Sequence, residues 1–274
     1  RRRGVPDVSP DGVLPTIGSK ELVAWLPLLL GLGPGDAVAF PAVAYPTYDV
    51  GARLAGATDV PFAGLTELGP VSGPSAPRLI WVNSPGNPTG KVLGVEHLAK
   101  VVDWARSRGA IVVSDECYAE LDWRFEGAGL PPAGSVPSLL DPRVTGGSHD
   151  GLLVCYSLSK QSNLAGYRAA FLAGDPTLVA RILEVRKHAG MMMPWPVQEA
   201  MRVALGDDAH VAEQRDRYRA RRARLAPAVE SAGLRIEDSE AGLYLWATRD
   251  EDCWSTVGAL AELGILAAPG SFYG

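Results

Sequence analysis

The sequence predicts an α/β fold built on a mostly parallel sheet, and two observations predict it. Short, continuous apolar runs recur along the chain as far as residue 173. Leu79-Ile80-Trp81-Val82 and Ile111-Val112-Val113 are the clearest, and such runs suit strands covered on both faces. Amphipathic helical patterns lie between them, and alternation of this kind points to helical crossovers joining parallel strands.

In order, strands are expected over residues 13–17, 37–41, 78–83, 110–114, 152–157 and 169–173. Helices are expected over 19–30, 48–55, 95–107 and 176–188. The last of these strands follows its predecessor too closely for the pattern to decide between an antiparallel neighbour and a crossover. From 207 to 231 runs a long polar helix with apolar residues at Val211, Tyr218, Leu225 and Val229. Beyond Gly233 the texture changes. Short strands over 234–237, 242–247 and 265–268 surround a helix over 253–263, which reads as a smaller α+β domain. The division expected is therefore 1–208 for a large α/β domain and 209–274 for the linking helix and small domain.

Composition excludes several classes of function. A chain of 274 residues with 47% hydrophobic content can bury a sizeable core. Its net charge of -5 is spread over both signs, and the basic run at 215–224 includes Asp216, so it reads as a solvated helix face. Nucleic acid is not expected as a partner. The longest apolar run, 22–32, contains Trp25 and Pro27 and is too short to span a bilayer, so no membrane partner is expected either. No secretory leader is visible at Arg1-Arg2-Arg3. Three widely spaced cysteines, Cys117, Cys155 and Cys253, fit a reducing, cytoplasmic compartment better than a disulfide framework. The four histidines show no metal-ligand spacing, so no metal is expected.

Ligands of open α/β sheets bind beyond the carboxyl ends of the strands, and the residues there carry the chemistry. After the first strand comes Gly18-Ser19-Lys20-Glu21, a helix start whose free N–H groups suit a phosphate, although Ser19 taken alone is an ordinary N-cap. After the second comes Tyr45, able to stack on a flat ring or to serve as packing. After the third comes Asn87, held between prolines in Asn83-Ser84-Pro85-Gly86-Asn87-Pro88-Thr89-Gly90. After the fourth come Asp115 and Tyr118. After the fifth come Ser157, Ser159 and Lys160, with Arg168 eight residues on. Each is weak singly, and Asp115 by itself could be a helix cap. Their joint order is specific.

The set Asn87-Pro88-Thr89-Gly90, Asp115-x-x-Tyr118 and Ser157-x-Ser159-Lys160 followed by Arg168 resembles the class I and II aminotransferases of pyridoxal-phosphate fold type I. The resemblance implies a large domain with a mostly parallel mixed sheet sandwiched by helices. It implies pyridoxal 5'-phosphate as cofactor and Lys160 as the Schiff-base lysine that moves the substrate Cα proton. Asp115 is implied as partner of the ring nitrogen, and Tyr118 and Asn87 as partners of the ring hydroxyl. Tyr45 would stack on the ring. The Ser19 and Lys20 amides, Ser157, Ser159 and Arg168 would hold the phosphate. Asn87 would also meet the substrate carboxylate, together with a small-domain arginine that family members carry beyond 269–274. Partners implied are amino- and keto-acids and a second copy of the chain; the apolar residues 191–193, Trp195 and Tyr45 are candidates for that interface or, equally, core.

The runs 18–23, 43–48 and 186–198 are similar to succinyldiaminopimelate transaminases of the actinobacterial type. That resemblance implies transfer of an amino group between N-succinyl-LL-diaminopimelate and 2-oxoglutarate. Lys20, Arg186 and Lys187 are then the groups available for the substrate's distal carboxylates. Two alternatives remain open at this point. One is another aminotransferase or β-lyase of the same fold. The other is a non-enzymatic regulator domain, which a basic DNA-binding segment elsewhere in the polypeptide would reveal.

Overall fold

Seven strands form one sheet: β1 (Val13–Ile17), β2 (Ala37–Pro41), β3 (Thr58–Phe62), β4 (Leu79–Asn83), β5 (Ile111–Asp115), β6 (Leu152–Ser157) and β7 (Ala169–Gly174). Their spatial order is β1-β7-β6-β5-β4-β2-β3. This is a computed structural model that describes residues 2–68 and 76–274; Arg1 and residues 69–75 lie outside them. Strands β3, β2, β4, β5 and β6 are mutually parallel. β7 is antiparallel to both β6 and β1, which settles the open question about the last strand. Two reversals make β1 point the same way as β6. The carboxyl ends of β1, β2, β4, β5 and β6 therefore share one sheet edge with the start of β7.

The core follows from strand alternation. Val38, Trp81, Val113 and Leu153 face one side, with Leu22, Val23 and Leu26 of α1 (Ser19–Leu29), Tyr48 and Ala52 of α2 (Thr47–Leu54), and Ile182. Ala39, Ile80, Val112 and Leu152 face the other, with Leu98, Val101, Val102 and Ala105 of α3 (Val95–Arg106). Successive side chains point to opposite faces, so helices on both sides require apolar residues at every position. The short helices α4 (Pro142–Thr145) and α5 (Leu158–Gln161) come next, followed by α6 (Pro176–His188), α7 (Trp195–Gly206) and the long α8 (Ala209–Ser231).

Three expectations need correction. β3 was not anticipated: its Thr-Asp-Val-Pro-Phe is partly exposed, as suits an edge strand that tolerates a proline. α7 was likewise not anticipated; Pro194 and Pro196 stand at its start, where a missing N–H costs nothing. In the C-terminal part, residues 242–246 and 265–268 are not strands. The regular pairing there is β8 (Arg235–Ile236) antiparallel to β9 (Ala247–Thr248), beside α9 (Cys253–Glu262). Of the expected interface residues, Met193 belongs to the core, whereas Met192 and Trp195 are open to solvent. Among the described residues no helix is long and apolar enough to cross a membrane.

Candidate active site

The shared sheet edge brings the expected residues together from separate parts of the chain. Asp115 ends β5, and Cys155 is its register neighbour on β6, two residues before Ser157. At the end of β6 the chain turns directly into α5. Ser157 caps that turn, its Oγ accepting from the Ser159 N–H at 3.1 Å and lying 2.9 Å from the Ser159 Oγ. Lys160 sits one residue further, half-buried, with its Nζ 6.0 Å from the centroid of the Tyr118 ring.

Asp115 is buried and bound on both oxygens. Oδ1 accepts from the Cys117 N–H at 3.1 Å, a contact that closes the turn after β5; no helix begins there, so the helix-cap alternative for this residue is not met. Oδ2 accepts from the Tyr48 hydroxyl, also at 3.1 Å. Burial pushes the Asp115 carboxyl above its ordinary value, against hydrogen bonds from Cys117 and Tyr48 that favour the ionised form. Tyr48 is fully buried and stacks on Trp81, with ring centroids 4.9 Å apart. Sequence reasoning missed Tyr48. Its ring also meets that of Tyr45, which precedes α2, edge to face with centroids 5.9 Å apart. The Cys117 thiol is held well above its usual value, first by its hydrogen bond with Cys155 and then by burial. The donor atoms of Asp115, Cys117 and Cys155 all lie within 4.8 Å of one another.

Asn83 and Asn87 divide the labour that the sequence left undivided. Asn83 is scaffold: its Nδ2 donates to the Asp115 and Pro85 carbonyls at 2.9 and 3.1 Å, and its Oδ1 accepts from the Asn87 N–H at 2.7 Å. Asn87 is thereby held in place, while its own buried Oδ1 has no hydrogen-bond partner among the described residues. Tyr118 is buried and bonded to Tyr244, and burial, followed by Tyr244, pushes its phenol well above the ordinary range. Tyr244 is a second residue that the sequence did not single out.

At the end of β1, Gly18 has φ +82° and begins α1, so Ser19 is the first helical residue and not its cap. A Cβ on Gly18 would lie 2.1 Å from a terminal guanidinium nitrogen of Arg168. The arginine is thus folded over the helix start, where N–H groups are free. Arg168 itself has φ +55°, and one guanidinium nitrogen donates to the Ala165 carbonyl at 2.7 Å. Tyr45 is half-buried, with the Lys20 Nζ 5.6 Å from its ring centroid. Of the groups expected to meet a distal carboxylate, Arg186 is unavailable. It is fully buried and makes a bidentate pair with Glu21 at 2.8 and 3.1 Å. Lys187 pairs with Glu184 at the surface.

These residues fit pyridoxal phosphate. The guanidinium and free amides at Gly18 form an anion cradle, Asp115 offers a dry carboxylate for a ring nitrogen, and the unpartnered Asn87 Oδ1 marks polar capacity still to be met. Fold and site together define the class as pyridoxal-phosphate fold type I. The model for the family "Aminotransferase class I and II" matches residues 1–274, and the chain belongs to that pyridoxal-phosphate-dependent family.

Over its full length the chain is 58% identical to a 4-dedimethylamino-4-oxo-anhydrotetracycline transaminase of Streptomyces rimosus and covers 72% of it. It is 57% identical to a probable aminotransferase of Mycobacterium tuberculosis, of which it covers 62%. Among solved structures, the N-succinyldiaminopimelate aminotransferase of Mycobacterium tuberculosis matches with a TM-score of 0.85 and 28% identity, over 100% of this chain and 72% of that one.

Proposed function

We propose that the protein transfers amino groups between amino- and keto-acids, with Lys160 as the residue that holds pyridoxal phosphate. The observation that carries this reading is the placement of Lys160, the buried Asp115 carboxylate and the Gly18–Arg168 contact at one sheet edge. Arg168, the Ser19 and Lys20 amides and the Ser157 and Ser159 hydroxyls bind the phosphate. Asp115 holds a proton on the ring nitrogen, and Tyr48 orients Asp115. Asn87 and Tyr118 serve the ring hydroxyl, Tyr45 covers the ring face, and Asn87 also faces the substrate carboxylate. When bound, the cofactor supplies an electron sink and a carrier for the amino group. The Lys160 amine takes the proton from the substrate Cα.

For the substrate pair, the reading is N-succinyl-LL-diaminopimelate with 2-oxoglutarate. Its support is the similarity of the runs 18–23, 43–48 and 186–198, together with the likeness to the N-succinyldiaminopimelate aminotransferase. A second reading has its own support. The Streptomyces rimosus relative at 58% identity is named for a ketone on a polycyclic skeleton, so this site could serve a bulky cyclic ketone. A kcat/KM panel on the full-length protein separates them. Donors are succinyldiaminopimelate, glutamate, aspartate, alanine and phenylalanine, with 2-oxoglutarate as acceptor except for glutamate. A polycyclic ketone is offered to glutamate. Highest efficiency with succinyldiaminopimelate is expected. Preference for aspartate, an aromatic donor or the polycyclic ketone contradicts that substrate and leaves the role of Lys160 standing.

A further inference from the structure

We infer that the Arg186–Glu21 ion pair keeps the phosphate cradle electrically open, Arg186 neutralising and drawing aside the carboxylate in the first turn of α1. The inference rests on the reading of residues 18–21 as the phosphate site.

Glu21 is the third residue of α1 and the acid of its first turn. At that position a glutamate ordinarily stabilises a helix start, through the helix dipole and by reaching back toward the N-cap N–H. Those same N–H groups and that same field are what a phosphate dianion requires. An unpaired Glu21 would therefore compete with the phosphate and repel it.

Arg186 prevents this. It comes from the last turn of α6, and its side chain is 0% exposed against 21% for that of Glu21. Nη1 donates to Glu21 Oε1 at 2.8 Å and Nη2 to Oε2 at 3.1 Å, a fork-to-fork geometry that fixes both oxygens. Nη2 also donates to the Met191 carbonyl at 2.9 Å, which ties the turn after α6 into the same arrangement. The carboxylate is thus directed at α6 and not at its own helix start. Arg168 and Lys20 also lie near this turn. Arg168 is folded over Gly18 at the helix start and Lys20 over the Tyr45 ring, whereas Glu21 is held by Arg186. Burying a guanidinium is costly without a well-placed partner, and removing one partner strands the other charge. Arg186 is therefore a positioning residue for the cofactor's anion, with no part in the proton chemistry.

Arg186→Gln and Glu21→Gln break the same pair with side chains of similar size, so their comparison separates charge from packing. A merely structural pair makes both variants bind cofactor more weakly. The inference predicts opposite behaviour. Arg186→Gln strands a carboxylate and weakens pyridoxal phosphate binding about tenfold, while Glu21→Gln leaves it unchanged or tighter. Pyridoxal, which lacks the phosphate, should be insensitive to both changes. The measurement is the dissociation constant of each compound, by absorbance titration of the full-length protein after cofactor removal. Wild type binding pyridoxal as tightly as pyridoxal phosphate would defeat the cradle reading and the inference with it. Wild type preferring the phosphate, with that preference intact in Arg186→Gln or lost equally in both variants, overturns the inference alone. Should Arg186→Gln fail to fold, Glu21→Gln decides: binding unchanged or tighter upholds the inference, and weaker binding overturns it.

Discussion

Asp115 meets two opposed demands. The role proposed for it asks for a carboxylate that holds a proton on the cofactor ring, and the surroundings favour the neutral acid, because burial raises its pKa despite hydrogen bonds from Tyr48 and Cys117. A carboxyl whose folded pKa is raised adds stability that is full below its unfolded pKa and is lost as pH rises through the folded value. As pH rises from the acid range, the cofactor-free protein therefore loses the stability that this carboxyl contributes in its neutral form. Asp115→Asn removes that dependence, so the cofactor-free variant should gain in melting temperature relative to wild type as pH rises from acid toward neutral. Transaminase kcat should fall about a hundredfold, equivalent to ~2.7 kcal/mol of barrier. Thermal melts across pH and steady-state rates check the two effects. A variant with nearly full kcat would reduce Asp115 to a residue that closes the turn after β5. Asp115 and Lys160 were legible in the sequence because each stands at the carboxyl end of a strand whose apolar run is unmistakable, and Arg168 through its spacing of eight from Lys160. Tyr48 was not, because its importance lies in a contact with Asp115, 67 residues away, which no local pattern records.

At the level of elements, the helix start at Gly18 shows what a pattern can and cannot convey. The Gly-Ser-Lys-Glu run signals a helix N-terminus, yet it does not reveal that Arg168 occupies the space where a Gly18 side chain would stand. Gly18→Ala must find room for a Cβ at φ +82°, and strain of about 1–3 kcal/mol is typical there. Pyridoxal phosphate affinity should drop about tenfold or more, since the collision displaces the guanidinium proposed to hold the phosphate. A titration showing unchanged affinity would remove Gly18 and Arg168 from the cradle. The same limit explains the elements that were misread. β4 and β6 were visible because both faces are covered and every residue is buried. β3 sits at an edge with polar residues facing out, and α7 opens with prolines, so both lacked the periodicity that reports burial.

Across the whole molecule, the sheet's directions make the site. β7 runs antiparallel between β6 and β1, which sets Arg168, at the start of β7, against Gly18 at the end of β1 and beside Lys160 after β6. The sequence presented these residues in chain order, and that order sufficed for the resemblance. The reversal that joins them needed three dimensions, because the short link before β7 allowed either direction. The central claim is that this assembly presents Lys160 to pyridoxal phosphate. Its most direct test is borohydride reduction of the cofactor-loaded full-length protein, followed by peptide mapping. The account predicts a pyridoxyl label on Lys160 and loss of the visible absorption band in Lys160→Ala. A label on Lys20, Lys91, Lys100 or Lys187 instead, with the band intact in Lys160→Ala, would contradict it.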